Sequence, residues 1–93
     1  MTLTLDIKRH EVRVSKRPVR LTPREFEILR VLIWADGEVL SREKIMEWVG
    51  MRIGAERLTV DQHVSRIRRK LCTPAIETVS YYGYKILPGA RIV

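Results

Sequence analysis

The chain of 93 residues contains a single cysteine, Cys72. One thiol excludes an internal disulfide and a thiolate metal cage, and it suits the reducing cytoplasm, the expected location. The two histidines, His10 and His63, have no further imidazole or thiol placed to complete a metal site, so neither metal nor cofactor is expected. No apolar run approaches the roughly eighteen residues that a membrane helix needs. The N-terminus lacks the basic-then-apolar order of a signal peptide, and no membrane partner is expected. Gly-rich phosphate loops, nucleophile elbows, carboxylate pairs and Cys–His arrangements are missing as well, which argues against an enzyme. Internal repeats, linkers and low-complexity tracts are absent. Residues 1–93 are therefore expected to form one domain around one modest core.

Acidic side chains are the other scarcity. Eleven Asp and Glu stand against 18 Lys and Arg, for a net charge of +7. A surplus of that sign favours a polyanionic partner. With 45% hydrophobic residues the chain is too apolar for a disordered basic tail.

Apolar spacing divides the chain into short strands, then helices, then strands. Leu3, Leu5 and Ile7 alternate with Thr4, Asp6 and Lys8; Val12 and Val14 alternate with Glu11, Arg13 and Ser15; Val19 and Leu21 follow Pro18. These three runs predict a small antiparallel sheet over residues 2–21 with one buried face. Thr22-Pro23-Arg24-Glu25 has the spacing of a capping box and opens a helix over about 23–35. Phe26, Ile28, Leu29, Val31, Leu32 and Ile33 take up more than half its circumference, so it must be covered on two sides. Ser41 caps a second helix over 42–49, in which Ile45, Met46, Trp48 and Val49 share a face. A loop over 50–58 leads to a third helix over 59–72 that Thr59 begins. Residues 76–87 read as a hairpin whose Gly83 can take a positive φ. The class is α+β.

The third helix carries the most information. Val60, Val64, Ile67 and Leu71 recur four, three and four apart, which lines one side of a helix. Gln62, Ser65, Arg66 and Arg69 fall opposite, with Asp61 and Arg68 on one flank and His63 and Lys70 on the other. One side is built for a core and the other suits a DNA major groove. Arg66 has the guanidinium to pair with guanine O6 and N7, and Gln62 the amide for adenine N6 and N7. Asp61 has two readings: an acceptor for cytosine N4, or an acid that favours the helix dipole and orients Arg66. Arg69, Ser65 and Arg57 suit phosphates. Arg68 and Lys70 lie nearer the core edge, where their stems cover apolar surface, and His63 reads as a packed histidine.

Laid out this way, the chain resembles the winged-helix effector domain of OmpR/PhoB-type response regulators. The matching stretches are Leu21-Thr22-Pro23-Arg24-Glu25-Phe26-Glu27-Ile28-Leu29, Leu40-Ser41-Arg42-Glu43, the run Thr59 to Leu71, and Thr78-Val79 with Gly83-Tyr84-Lys85-Ile86. Four motifs in order and near the family spacing are specific where each alone is ordinary. The resemblance implies a winged helix-turn-helix: an N-terminal sheet, three helices and a C-terminal hairpin wing. It implies a sequence-specific transcription regulator that binds double-stranded DNA, with the third helix in the major groove and the wing on backbone or minor groove. Asp61, Gln62 and Arg66 then stand at base-facing positions, and Thr59, Ser65 and Thr78 at phosphate-facing ones. The loop with Met51, Arg52 and Ile53 stands where such domains meet RNA polymerase, and a second copy on tandem half-sites is a further expected partner.

The chain departs from the family pattern in four places. Leu58 replaces an arginine before the Thr-Val-Asp run, Trp48 precedes the usual tryptophan position at Val49, and the sheet lacks one strand at its start. The wing reads Ser80-Tyr81-Tyr82-Gly83-Tyr84 where Arg-Gly-x-Gly-Tyr is usual. Without the wing arginine, Ser80, Tyr81 and Tyr82 become the expected backbone contacts, through hydroxyls on phosphate or rings against sugar. Tyr84 alternates inward with Ile86. The altered wing keeps a second reading open, a winged helix reused as a protein-interaction module for an acidic partner or polymerase.

Overall fold

Alternation of buried and exposed side chains sets the first layer of the computed structural model, which describes residues 2–93. Met1, first residue of the expected domain, lies outside the described residues. Strands β1 (Leu3–Asp6), β2 (Glu11–Val14) and β3 (Arg17–Val19) form an antiparallel meander in which Leu3 pairs with Val14 and Val12 with Val19. Leu3, Leu5, Val12 and Val14 point to one face and are buried. Ile7 falls outside β1 and remains exposed.

The expected purely antiparallel sheet needs one correction. A further strand, β6 (Ala90–Ile92), pairs parallel to β1 and gives the order β3-β2-β1-β6. Three residues carry too little periodicity to be seen in sequence, and the partner lies at the other end of the chain. Leu3 N–H also donates to Gly89 O at 2.8 Å.

Helix α1 (Pro23–Trp34) crosses this sheet. Thr22 and Glu25 close the capping box: Thr22 N–H donates to Glu25 Oε1 at 2.9 Å, and Glu25 N–H to Thr22 Oγ1 at 3.2 Å. Phe26, Ile28, Leu29, Val31, Leu32 and Ile33 are all buried, between the sheet on one side and helices α2 (Arg42–Val49) and α3 (Val60–Leu71) on the other. Ile45 is the buried residue of α2, while Met46 and Val49 are half-buried. Trp48 does not join that face: it stays exposed and meets Trp34 edge-on.

In α3 the four-three-four spacing has its expected outcome. Val60, Val64, Ile67 and Leu71 are buried, each worth about 2 kcal/mol of transfer from water. The hairpin β4 (Ile76–Val79) and β5 (Gly83–Ile86) follows, its second strand packed against α1. It is fastened by a bridge: Leu40 N–H donates to Tyr84 O at 2.8 Å, and Tyr84 N–H to Leu40 O at 2.9 Å. Three helices, a small sheet and a C-terminal hairpin make a winged helix. Among the described residues no helix is long and apolar enough to cross a membrane.

Candidate nucleic-acid interface

With its apolar side sealed in the core, α3 can present only its other side. Asp61, Gln62, Ser65, Arg66 and Arg69 are all exposed there. Hydrogen bonds within the protein already constrain some of these groups. Thr59 Oγ1 accepts from Gln62 N–H at 3.2 Å, and Gln62 Oε1 accepts from Thr59 N–H at 2.9 Å, a second capping box. The Thr-x-x-Gln spacing signals this as plainly as Thr22-x-x-Glu25 does.

Asp61 is held more firmly. Its Oδ1 accepts from Arg42 Nε at 2.7 Å and from the Tyr84 hydroxyl, while Oδ2 receives no bond among the described residues. The Tyr84 hydrogen bond and the Arg42 guanidinium, against the opposing effect of partial burial, hold this carboxyl below the ordinary 3.8. Burial, then the Asp61 carboxylate, push the Tyr84 hydroxyl upward in turn. The Tyr84 ring lies between two guanidinium groups, with Cζ of Arg42 5.2 Å and of Arg68 5.5 Å from its centroid. Arg42 is therefore part of the site, and sequence reading missed it. Its partner lies on another helix, and only its place directly after the Ser41 cap gave a hint.

Arg66 differs from these neighbours. Among the described residues it makes no ion pair, and neither Asp61 nor Gln62 holds it. The second reading of Asp61, as orienter of Arg66, is thus corrected: the acid orients Arg42 instead. Ser65 and Arg69 flank Arg66 on the same exposed side, and Arg57 is exposed on the approach to the helix.

The wing extends this surface. Arg68 donates to Ile76 O at 3.0 Å and to Thr78 Oγ1 at 2.7 Å, so it ties α3 to β4 instead of only covering apolar surface. Thr78 and Ser80 are exposed, Tyr82 is 71% exposed and Tyr81 fully so. Tyr84 is buried, as its alternation implied. The left-handed residue of the hairpin turn is Tyr81, with φ +70°, at the place where the family pattern has a glycine. Gly83, at φ +148°, answers a different need: a Cβ there would stand 1.9 Å from Leu40 O.

In the loop 50–58, Arg24 donates to Val49 O at 2.8 Å and to Glu56 Oε2 at 3.3 Å, pinning the loop to α1. Ile53 is 90% exposed and Arg52 is exposed, but Met51 is buried beneath them. The expectation that Met51 faces a partner is corrected, because its unbranched side chain fills the core under the loop. His63 is buried, and among the described residues its Nδ1 has no partner. Burial favours its neutral form below the ordinary 6.5, with Arg24 and Arg66 adding to the effect and Glu25 and Glu56 opposing it.

Comparison with known proteins places this surface in context. Residues 16–86 match the family model described as "Transcriptional regulatory protein, C terminal". The transcriptional regulatory protein CseB of Streptomyces coelicolor is 44% identical over 85 residues, which is 90% of this chain and 36% of that protein. The chain thus spans little more than a third of that relative's length. Among solved structures, the Klebsiella pneumoniae RstA DNA-binding domain in complex with the RstA box superposes with a TM-score of 0.81 at 28% identity, covering 95% of this chain and 93% of that one. The response regulator AdeR DNA-binding domain, in complex with an intercistronic region, gives 0.80 at 29% identity, covering 92% and 94%.

Proposed function

The chain belongs to the OmpR/PhoB-type family of C-terminal DNA-binding domains of transcriptional regulatory proteins, and on that premise we propose how it binds its DNA. It is a sequence-specific binder of double-stranded DNA and not an enzyme. Helix α3 enters the major groove, where Arg66 pairs with guanine while Gln62 and Asp61 meet neighbouring bases. Thr59, Ser65, Arg69, Arg57 and Thr78 contact phosphates, and Ser80, Tyr81 and Tyr82 carry the wing's backbone contact in place of the missing arginine. Arg52 and Ile53 meet RNA polymerase from the loop, a second copy binds an adjacent half-site, and the domain works in the cytoplasm.

The observation that carries this reading is Arg66: a guanidinium in mid-helix with no ion pair among the described residues, exposed on the side of α3 away from an apolar stripe that is wholly buried. Selection from a pool of randomised duplexes at near-physiological salt, followed by sequencing, is the test. An enriched motif is expected. Arg66→Ala is expected to weaken binding to that motif by about 2 kcal/mol, with the lost preference confined to one base position. Unchanged affinity would remove Arg66 from the readout. No binding at all would turn the reading toward the protein-interaction module.

The wing tip makes a separate prediction. Tyr81 adopts a left-handed backbone that costs an L-residue about 1 kcal/mol, and its side chain is fully exposed, so burial does not offset this. Strain retained at an exposed tip points to use. Tyr81→Gly is expected to raise stability by about 1 kcal/mol in denaturant unfolding while lowering DNA affinity. A gain in stability with affinity intact would remove Tyr81 from the interface.

A further inference from the structure

Gln62 is exposed on the same side of α3 as Arg66, one helical turn before it. Its chemistry is nevertheless half occupied. A primary amide offers one acceptor oxygen with two lone pairs and one NH2 group with two donors. The capping box holds the oxygen at the helix start, since the Thr59 N–H at 2.9 Å is a donor and must face an acceptor, which commits one of the two lone pairs there. The NH2 group is what remains. Asp61 does not take it up, because Arg42 and Tyr84 fasten that carboxylate on the flank of the helix. Pairing with adenine in the manner of a free amide requires both ends, the NH2 on N7 and the oxygen on N6. In this helix the cap pins the oxygen beside the Thr59 amide, so the side chain cannot swing both ends onto one adenine while the cap stays closed.

Building on the proposed docking of α3 in the major groove, we infer that Gln62 reads DNA as a donor alone and selects guanine over adenine. Guanine offers two acceptors in the groove, N7 and O6, to the two hydrogens of the amide. Adenine sets its own N6 amine against them. The start of α3 is thus a site where folding decides base preference: the helix cap fixes which half of the amide faces outward. The same residue type in a helix that lacked the Thr59 cap would have both halves free.

One substitution separates the roles. Glutamate closes a capping box as well as glutamine does, so Gln62→Glu keeps the helix start while replacing the exposed donor with an acceptor oxygen. The experiment is duplex selection with the whole chain as wild type, Gln62→Glu and Gln62→Ala, with thermal unfolding of each. In the wild type, one position beside the Arg66 base is expected to be guanine. Gln62→Glu is expected to turn that position to cytosine, whose N4 donates, with the guanine-to-cytosine ratio reversed by about tenfold. Gln62→Ala is expected to leave the position nearly flat, and it carries the test alone if the glutamate variant unfolds early. Adenine at that position in the wild type would overturn the inference, because the cap would have opened on binding. A motif unchanged in both variants would overturn it equally. A pool with no enrichment by the wild type would instead overturn the groove-docking reading beneath it.

Discussion

Gly83→Ala is expected to cost the fold about 4 kcal/mol, measured by denaturant unfolding. The added Cβ would lie 1.9 Å from Leu40 O, 2.8 Å from Leu40 C and 2.9 Å from Ser41 Cα. All three are backbone atoms, so no side chain can swing aside. Relief requires the wing to leave residue 40, which gives up both hydrogen bonds of the Leu40–Tyr84 bridge. Tyr84 would move with it and release Asp61, so DNA affinity should fall by more than the unfolded fraction explains. Gly54→Ala is the control. Its φ of +82° is equally left-handed, but a Cβ there meets nothing within 4 Å. Only backbone strain remains, about 1 kcal/mol. Equal losses at the two glycines would mean that the close approach to Leu40 carries no weight.

That contrast also marks how far the sequence could be read. Local periodicity was legible: the alternation of Leu3 with Leu5, the apolar breadth of α1 and the four-three-four stripe of α3 each led to the observed element and its buried side. So was the polar side of α3, because 100° per residue fixes which residues lie opposite the stripe. What stayed hidden depends on residues far apart in the chain. Gly83 reads as a turn glycine until Leu40 is placed against it. Asp61 reads as a free acid or a partner of Arg66 until Arg42, from another helix, arrives at 2.7 Å. Met51 and Ile53 look alike in sequence, and only the path of the loop sends one inward and the other out. Glu25 reads as a surface cap, although its carboxylate is buried against Lys70 of α3.

Glu25→Ala is expected to lose about 3 kcal/mol, and the loss should depend on pH. Its Oε1 accepts from Thr22 N–H at 2.9 Å and from Lys70 Nζ at 2.6 Å, and the residue is only 1% exposed. Removing the cap alone costs about 1 kcal/mol. Breaking a buried pair costs more, but the Lys70 side chain is 37% exposed and regains water, which keeps the total at the lower end. Burial pushes the Glu25 carboxyl upward; the Lys70 hydrogen bond, the Thr22 amide and the Lys70 charge outweigh it and leave the group below the ordinary 4.5. A depressed carboxyl stabilises fully above its unfolded value, and the contribution is lost as pH falls from about 4.5 through the folded value. Glu25→Gln keeps the capping oxygen and removes the charge. Wild type and Glu25→Gln should therefore differ near neutrality and converge below pH 4.5. His63 adds an earlier slope, larger in Glu25→Gln, which lacks the carboxylate charge that opposes the lowering of the imidazole. Below pH 6.5 the unfolded chain takes up a proton that the buried imidazole resists, so stability starts to fall there. Curves that stay parallel down to low pH would mean that the Glu25–Lys70 pair does not hold α3 against α1. Curves that converge would tie the seating of α3 to one buried charge.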